Sequence, residues 1–381
     1  MKRRILYISG SRADYGLMRS VLSAIHLHPA MELHIAVTGM HLMPEFGNTH
    51  QEIKKDGFSC HGINATYHED TRESMALYVG QFTQCFVPLV KELEPDFILV
   101  LGDRGEMLGG AIVGTYLGIP VVHIHGGEVT STVDEFSRHA ITKLSHIHFP
   151  ATAESAQRII RMGEDPRHVF VTGAPGLDQI KIVLSESPKD IIDRFHIDPA
   201  APVVIVLQHP VPLEQGDPAF QMDQTMKAIS HLDAQVFVIY PNADSGGRGM
   251  IEVIKNYETY PHIRTFPSLD HQDFLNLLKI SSVLVGNSSS GIIEAPSFGV
   301  PAINVGSRQN GRQRGENIID TGYDYKEIAQ SIDRALNDTD FKRKVKTAKN
   351  PYGDGNSSLK IVEILDSLKI TPDLLQKRMM Y

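Results

Sequence analysis

Short, uninterrupted apolar runs recur along the chain, and a cluster of small or polar residues stops each one. In the first half these runs are Ile5–Ile8, Leu33–Val37, Asp96–Leu101, Val121–His125, His146–Phe149 and Val169–Gly173. In the second half they are Val203–Leu207, Val236–Tyr240, Ile263–Phe266, Val283–Val285 and Ala302–Val305. Between them apolar positions fall three or four apart, as at Leu17, Val21, Leu22 and Ile25, and again in the tail at Leu359, Ile361, Val362, Ile364 and Leu365. Runs without polar alternation predict strands buried on both faces. Their alternation with helical spacing predicts parallel sheets covered by helices, joined by right-handed crossovers. Turn-rich breaks at Gly173–Gly176, Ser185–Pro188 and Asp198–Pro202 predict a linker between about residues 175 and 200, with a complete set of α/β units on either side.

Length agrees with two domains, because 381 residues exceed what one core usually serves. A hydrophobic content of 41% and a charged content of 22% describe an ordinary globular chain. The net charge of −8 argues against non-specific binding to nucleic acid or to an anionic membrane. Cys60 and Cys85 are the only cysteines, which excludes a disulfide framework and a cysteine-based zinc site. The apolar run Ile5–Ile8 is too short for a signal segment, and no run approaches a membrane span, so a cytoplasmic protein is expected. Histidine is frequent, at 18 residues, but without metal-ligand spacing, so neither metal nor cofactor is expected.

The candidate chemistry starts at Val283–Glu294. An apolar strand runs there into Gly286-Asn287, three serines and a helix start, with Pro296 further in. Backbone N–H groups at such a start, with the positive end of the helix dipole, favour an anion, and Ser288, Ser289 and Ser290 add donors. An ordinary serine cap is the plainer reading of the same residues. The first loop, Ser9–Gly16, follows a strand and carries Arg12 but lacks the full dinucleotide fingerprint. Arg12, Asp103, His125, His209, Asn242, the serines and Arg308 all fall just after strands, where α/β proteins bind ligands. The bland readings are a satisfied core histidine for His123 or His125 and a helix cap for Asp103. Read together, the residues predict basic groups and a helix start for phosphates in the second domain. The first domain would supply Asp103, His125, Glu128 and Asp134 for acid–base work.

Five motifs carry a resemblance: Gly10-Ser-Arg-Ala-Asp-Tyr-Gly, Gly102-Asp-Arg, His123-Ile-His-Gly-Gly-Glu, Asp134-Glu-x-x-Arg-His-Ala-Ile-Thr-Lys and Gly286-Asn-Ser-Ser-Ser-Gly-Ile-Ile-Glu. As a set, over about residues 1 to 355, the chain resembles the UDP-N-acetylglucosamine 2-epimerases, most of all the hydrolysing branch that feeds sialic- and legionaminic-acid-type synthesis. The resemblance implies an α/β GT-B-like fold, two Rossmann-like domains whose parallel sheets face an interdomain cleft. Residues 1–180 would form the sugar side and 181–365 the UDP side, with a C-terminal helix at 366–381 crossing back. It implies conversion of UDP-GlcNAc and water to N-acetylmannosamine and UDP. UDP leaves by elimination to a 2-acetamidoglucal, which water attacks with inversion at C2. The partner would be a UDP-sugar, in a homodimer or homotetramer.

The family pattern puts Arg12 and Arg104 near the phosphates and Ser288, Ser289, Ser290 and Gly291 at the diphosphate. It puts Glu294 at the ribose, His209, Asn242, Leu269 and Arg308 on the nucleotide, Arg138 on the substrate, and Asp103 and Asp134 in catalysis. Two departures matter. Leu17 stands where non-hydrolysing members carry a lysine, which favours the hydrolysing branch. His125 stands where many members carry glutamate, so either His125 or Glu128, three residues on, transfers that proton. The chemistry is consistent: cleaving C1–O with charge building on the β-phosphate eases removal of a weakly acidic C2 proton, and one well-placed phosphate donor is worth about 3–4 kcal/mol. A 4-acetamido-6-deoxy sugar nucleotide would use the same residues. A GT-B glycosyltransferase would share the nucleotide site without needing Asp103, Glu128 and Asp134, and a silent nucleotide-sugar sensor would not need Asp103, Asp134 and His209.

Overall fold

The computed structural model describes residues 2–67, 69, 71–129, 133–211, 214–242 and 244–380, without the side chains of Glu45, Val133, Asp134, Lys181 and Ile182. Two compact units result. The first comprises Met1–Glu128, Val133–Asp178 and Tyr352–Tyr381, and the second Val129–Thr132 and Gln179–Pro351.

The first unit holds β1 (Arg3–Ser9), β2 (Met31–Val37), β3 (Ser59–Gly62), β4 (Phe97–Leu101), β5 (Val121–Ile124) and β6 (Ile147–Phe149). They form one sheet in the order β3-β2-β1-β4-β5-β6, every pair parallel. Successive side chains of a strand point to opposite faces. Thus Ile5 and Tyr7 of β1 join one core and Leu6 and Ile8 the other. Helix Arg12–Leu27 covers the first face; helices Arg72–Leu93 and Gly105–Leu117 cover the second.

The second unit repeats the plan with β7 (Val203–Leu207), β8 (Gln235–Ile239), β9 (Ile263–Phe266), β10 (Val283–Gly286), β11 (Ala302–Val305) and β12 (Ile318–Thr321). The order is β12-β11-β10-β7-β8-β9, again parallel. In both units the strand order reverses beside the first strand, so the loops after β1 and β4, and after β7 and β10, flank a topological switch point.

Several expectations need correction. Val169–Gly173 is not a strand: it makes a single bridge, His148 to Val169, at the sheet edge. Strand β5 stops at Ile124, one residue short of the expected run, because His125 turns to φ +62°. Edge strands β3 and β12 carry no unbroken apolar run and escape a hydropathy reading. The expected linker is helical, with Ile180–Ser185 and Pro188–Phe195 in it. The chain returns to the first unit at Tyr352, not at 366. Helix Ser357–Ser367 makes this return by burying Ile361, Val362 and Leu365 in the core beneath helix Arg12–Leu27. Asp178 accepts from the N–H groups of Ser357 (2.8 Å) and Ser358 (2.6 Å), satisfying two donors at that helix start. Beyond 366 the helical content is one turn, Pro372–Leu375. Among the described residues no helix is long and apolar enough to cross a membrane.

Candidate functional site

In the first unit the loop after β1 is built on Asp14. Ser11 caps helix Arg12–Leu27 in a reciprocal box with Asp14. The buried carboxylate also accepts from Ser9 Oγ (2.5 Å) and from the N–H of Gly10 (3.0 Å) and Ser11 (2.6 Å). Burial pushes the Asp14 carboxyl up, against the pull of the Ser9 and Ser11 bonds and of Arg104. Because Ser9 donates to Asp14, it accepts from His41 Nε2 (2.9 Å), and His41 Nδ1 accepts from Thr49 Oγ1 (2.7 Å). Burial holds His41 neutral, with a pKa lowered to about 3. Gly10 leaves the space that the Glu106 carboxylate fills: a Cβ would lie 1.9 Å from Glu106 Oε1, so any side chain here would displace that carboxylate.

The two arginines expected near phosphate already have carboxylate partners. Arg12 pairs with Glu52. Arg104 Nε donates to the buried Glu106 (3.0 Å), and its Nη2 donates to Tyr67 (3.2 Å). The sequence reading missed Asp14, His41 and Glu106 as parts of this loop system. The signal for Asp14 was its place three residues after Ser11 in a capping box.

The loops after β4 and β5 bring together four of the expected residues. Arg138, on helix Val133–Leu144, pairs with Asp103 and donates from Nη1 to the backbone oxygen of Glu128 (3.1 Å). Glu128 Oε1 lies 2.5 Å from His125 Nδ1. A carboxylate only accepts, so Nδ1 carries the proton and the lone pair of a neutral ring lies on Nε2. The φ of +62° at His125 is a left-handed conformation that costs a non-glycine residue about 1–3 kcal/mol. Such strain persists where its surroundings enforce it. Here Gly127 is forced by close approach, since its Cβ would lie 2.3 Å from Ser155 O. His123 is a satisfied core histidine: Nε2 donates to Gly102 O (2.7 Å), Nδ1 accepts from Thr142 Oγ1 (3.1 Å), and burial lowers its pKa to about 3. The side chain of Asp134 lies outside the described residues.

In the second unit Asn287, after β10, is the hub. Its Oδ1 accepts from His209 N (2.7 Å), and its Nδ2 donates to His209 O (2.8 Å), locking the loops after β7 and β10 together. Its backbone oxygen accepts from Arg308 Nη1 (3.2 Å) and Gln309 Nε2 (2.8 Å), tying in the loop after β11. Asn242 N donates to His209 Nδ1 (3.1 Å), so in the neutral ring the proton sits on Nε2. Gly286 permits the close approach of β7: a Cβ would lie 2.2 Å from Leu207 O. Ser288, Ser289 and Ser290 are half-buried.

The helix they were expected to open is broken. It runs Ser290–Ile293 and resumes at Ala295–Phe298; its N-cap Ser289 makes no side-chain capping bond, while Ser288 Oγ accepts from Ser290 N (3.3 Å). Pro296 supplies no N–H and prevents a continuous ladder. Gly291 stands in the first turn, and buried Glu294 occupies the break itself, 3.9 Å from His271 Nε2. Leu269, half-buried, precedes Asp270, the cap of helix His271–Ile280. Asn287 was read only as a turn former, and His271 was not singled out.

Two doubly wound units, each one parallel six-stranded sheet whose strand order reverses beside its first strand, define a fold of GT-B type. The family model for UDP-N-acetylglucosamine 2-epimerase matches residues 23–366, and the chain belongs to that family. It is 43% identical over 379 residues, 99% of each chain, to the hydrolysing UDP-N,N'-diacetylbacillosamine 2-epimerase of Legionella pneumophila. It is 37% identical over 333 residues, 87% of each chain, to a UDP-N-acetylglucosamine 2-epimerase of Neisseria meningitidis serogroup B. The crystal structure of a Neisseria meningitidis UDP-GlcNAc 2-epimerase bound to UDP-GlcNAc superposes with a TM-score of 0.81 at 19% identity, covering 96% of this chain and 100% of that one. These relatives support the hydrolysing branch.

Proposed function

We propose that the chain is a hydrolysing 2-epimerase of UDP-N,N'-diacetylbacillosamine, a 2,4-diacetamido-6-deoxy sugar nucleotide, releasing UDP and the free sugar inverted at C2. The carrying observation is the 43% identity to the Legionella pneumophila enzyme of that activity across 99% of both chains. Sequence reasoning put UDP-GlcNAc first, and the Neisseria meningitidis relative keeps it as the second reading.

The site supports a division of labour. His209 through Nε2–H, the hydroxyls of Ser288 and Ser289, and Arg308 take the diphosphate, and Glu294 takes the ribose. Donors at the β-phosphate stabilise the charge that builds as C1–O breaks. His125 Nε2 removes the C2 proton, the C–H electrons form the C1=C2 bond, and the C1–O pair leaves with UDP. Glu128, on Nδ1, fixes the tautomer and stabilises the imidazolium. Arg138 holds Asp103 beside this pair, and Asp103 and Asp134 serve the rehydration, in which C2 gains a proton on the opposite face and C1 gains hydroxide.

NMR of the products from both sugar nucleotides, run in D₂O, tests this. Preferred turnover of the diacetamido substrate, with deuterium at C2 of a manno product, is the expected result. Faster turnover of UDP-GlcNAc would reverse the substrate order. Full retention of the original C2 hydrogen would replace elimination by displacement at C1.

A further inference from the structure

His271 and Glu294 stand apart from the other polar groups of the second unit. Their side chains are 10% and 2% exposed. Among the described residues neither ring nitrogen of His271 has a hydrogen-bond partner, and neither does Glu294 Oε2. The one contact between them, Nε2 to Oε1 at 3.9 Å, is beyond hydrogen-bond reach. Buried polar groups left unmet are costly and rare, and two of them facing each other ask for a shared partner. The local fold holds both in place. His271 is the first residue of helix His271–Ile280, whose start Asp270 caps by accepting from Asp273 N at 2.8 Å. Glu294 sits in the break between two short helices.

A group that bridges them must accept from imidazole N–H and donate to a carboxylate. A hydroxyl does both. A phosphate oxygen cannot donate and is repelled by Glu294. We infer that His271 and Glu294 jointly read one ribose hydroxyl of the nucleotide. His271 Nε2–H would donate to the hydroxyl oxygen, the hydroxyl would donate to Glu294 Oε1, and Oε2 would take the second hydroxyl of the diol. His271 is thus a specificity residue for ribonucleotides, an inference that rests on the nucleotide reading of Glu294 above.

The test is calorimetric titration of UDP, 2'-deoxy-UDP and 3'-deoxy-UDP into the wild type, His271→Ala and His271→Gln, with thermal melts as a folding control. Wild type should prefer UDP to both analogues. His271→Ala should lose roughly tenfold on UDP, the scale of one such hydrogen bond. It should lose as much on the analogue that keeps the shared hydroxyl, and nothing on the one that lacks it. His271→Gln, which keeps a donor, should recover part of the loss. An equal loss on all three ligands, or none on any, overturns the inference and makes His271 a packing residue. Failure of the wild type to bind UDP would instead sink the nucleotide reading itself.

Discussion

Glu128 meets His125 at Nδ1, and that contact decides which ring nitrogen can take a proton. The two residues stand as alternatives in the sequence, one for the role of a missing glutamate. In the fold they are partners, so their variants should differ in kind. His125→Gln removes the proposed base and should lower kcat at least about 10²-fold, the usual scale for a proton-transfer group. Glu128→Gln leaves an acceptor on Nδ1 but removes the charge that stabilises the imidazolium. It should lower kcat less, with KM nearly unchanged and the acid limb of the pH–rate profile displaced. A Glu128→Gln loss equal to that of His125→Gln, with no displacement of the limb, would return the base to Glu128. Adjacency after a strand made this pair legible. Asn287 was not, because its bonds reach His209 across 78 positions and leave no local pattern.

At the scale of elements, hydropathy runs identified the central strands of both sheets because those strands are buried on both faces. It failed at the edges, where β3 and β12 expose one side to solvent and Val169–Gly173 is apolar without a ladder. The serine helix was over-read because the proline was weighed as a late event rather than as a break.

The C-terminal segment could be read only in part. Its periodic helix is visible, but the contacts of Lys377 beyond that helix are not. Lys377 Nζ donates to the backbone oxygens of Thr142 (2.9 Å) and Ser145 (2.5 Å), at the carboxyl end of the helix that carries Arg138. A cation there satisfies last-turn carbonyls and meets the negative end of the dipole. The same ammonium lies 2.5 Å from the buried Glu164, which Lys143 (2.6 Å) and His148 (3.0 Å) also hold. Lys377→Met should destabilise the first unit by about 3 kcal/mol, the lower end for breaking a buried pair, as read by urea unfolding. UDP affinity should stay unchanged. An unaltered midpoint would show that Lys143 and His148 suffice for Glu164.

At the scale of the whole molecule the buried histidines of the first unit carry a pH dependence. The first buries His41 and His123, whose pKa values burial lowers to about 3, and His146, lowered to about 4. Burial also lowers His148, against the opposing pull of Glu164. In the unfolded chain each of these histidines takes up a proton near its ordinary value of 6.5, whereas in the fold His41 and His123 do so only near 3 and His146 only near 4, and burial moves His148 the same way. Below about pH 6.5 the unfolded state therefore binds more protons, and stability falls with pH. Glu164 adds the same sign lower down. Burial raises it, but His148, Lys377 and Lys143 outweigh that and hold it at about 2, so its stabilisation is complete above its ordinary 4.5 and is lost between there and about 2. Hydrogen exchange followed by mass spectrometry from pH 7.5 to pH 4.5, corrected for intrinsic rates, should show peptides from β1, β4 and β5 losing protection first, while those from β7, β8 and β10 hold. His123→Asn, which cannot take up a proton, should flatten the dependence. Simultaneous loss in both sets of strands, or earlier loss in the second, would mean that the buried histidines do not set the acid stability of the first unit.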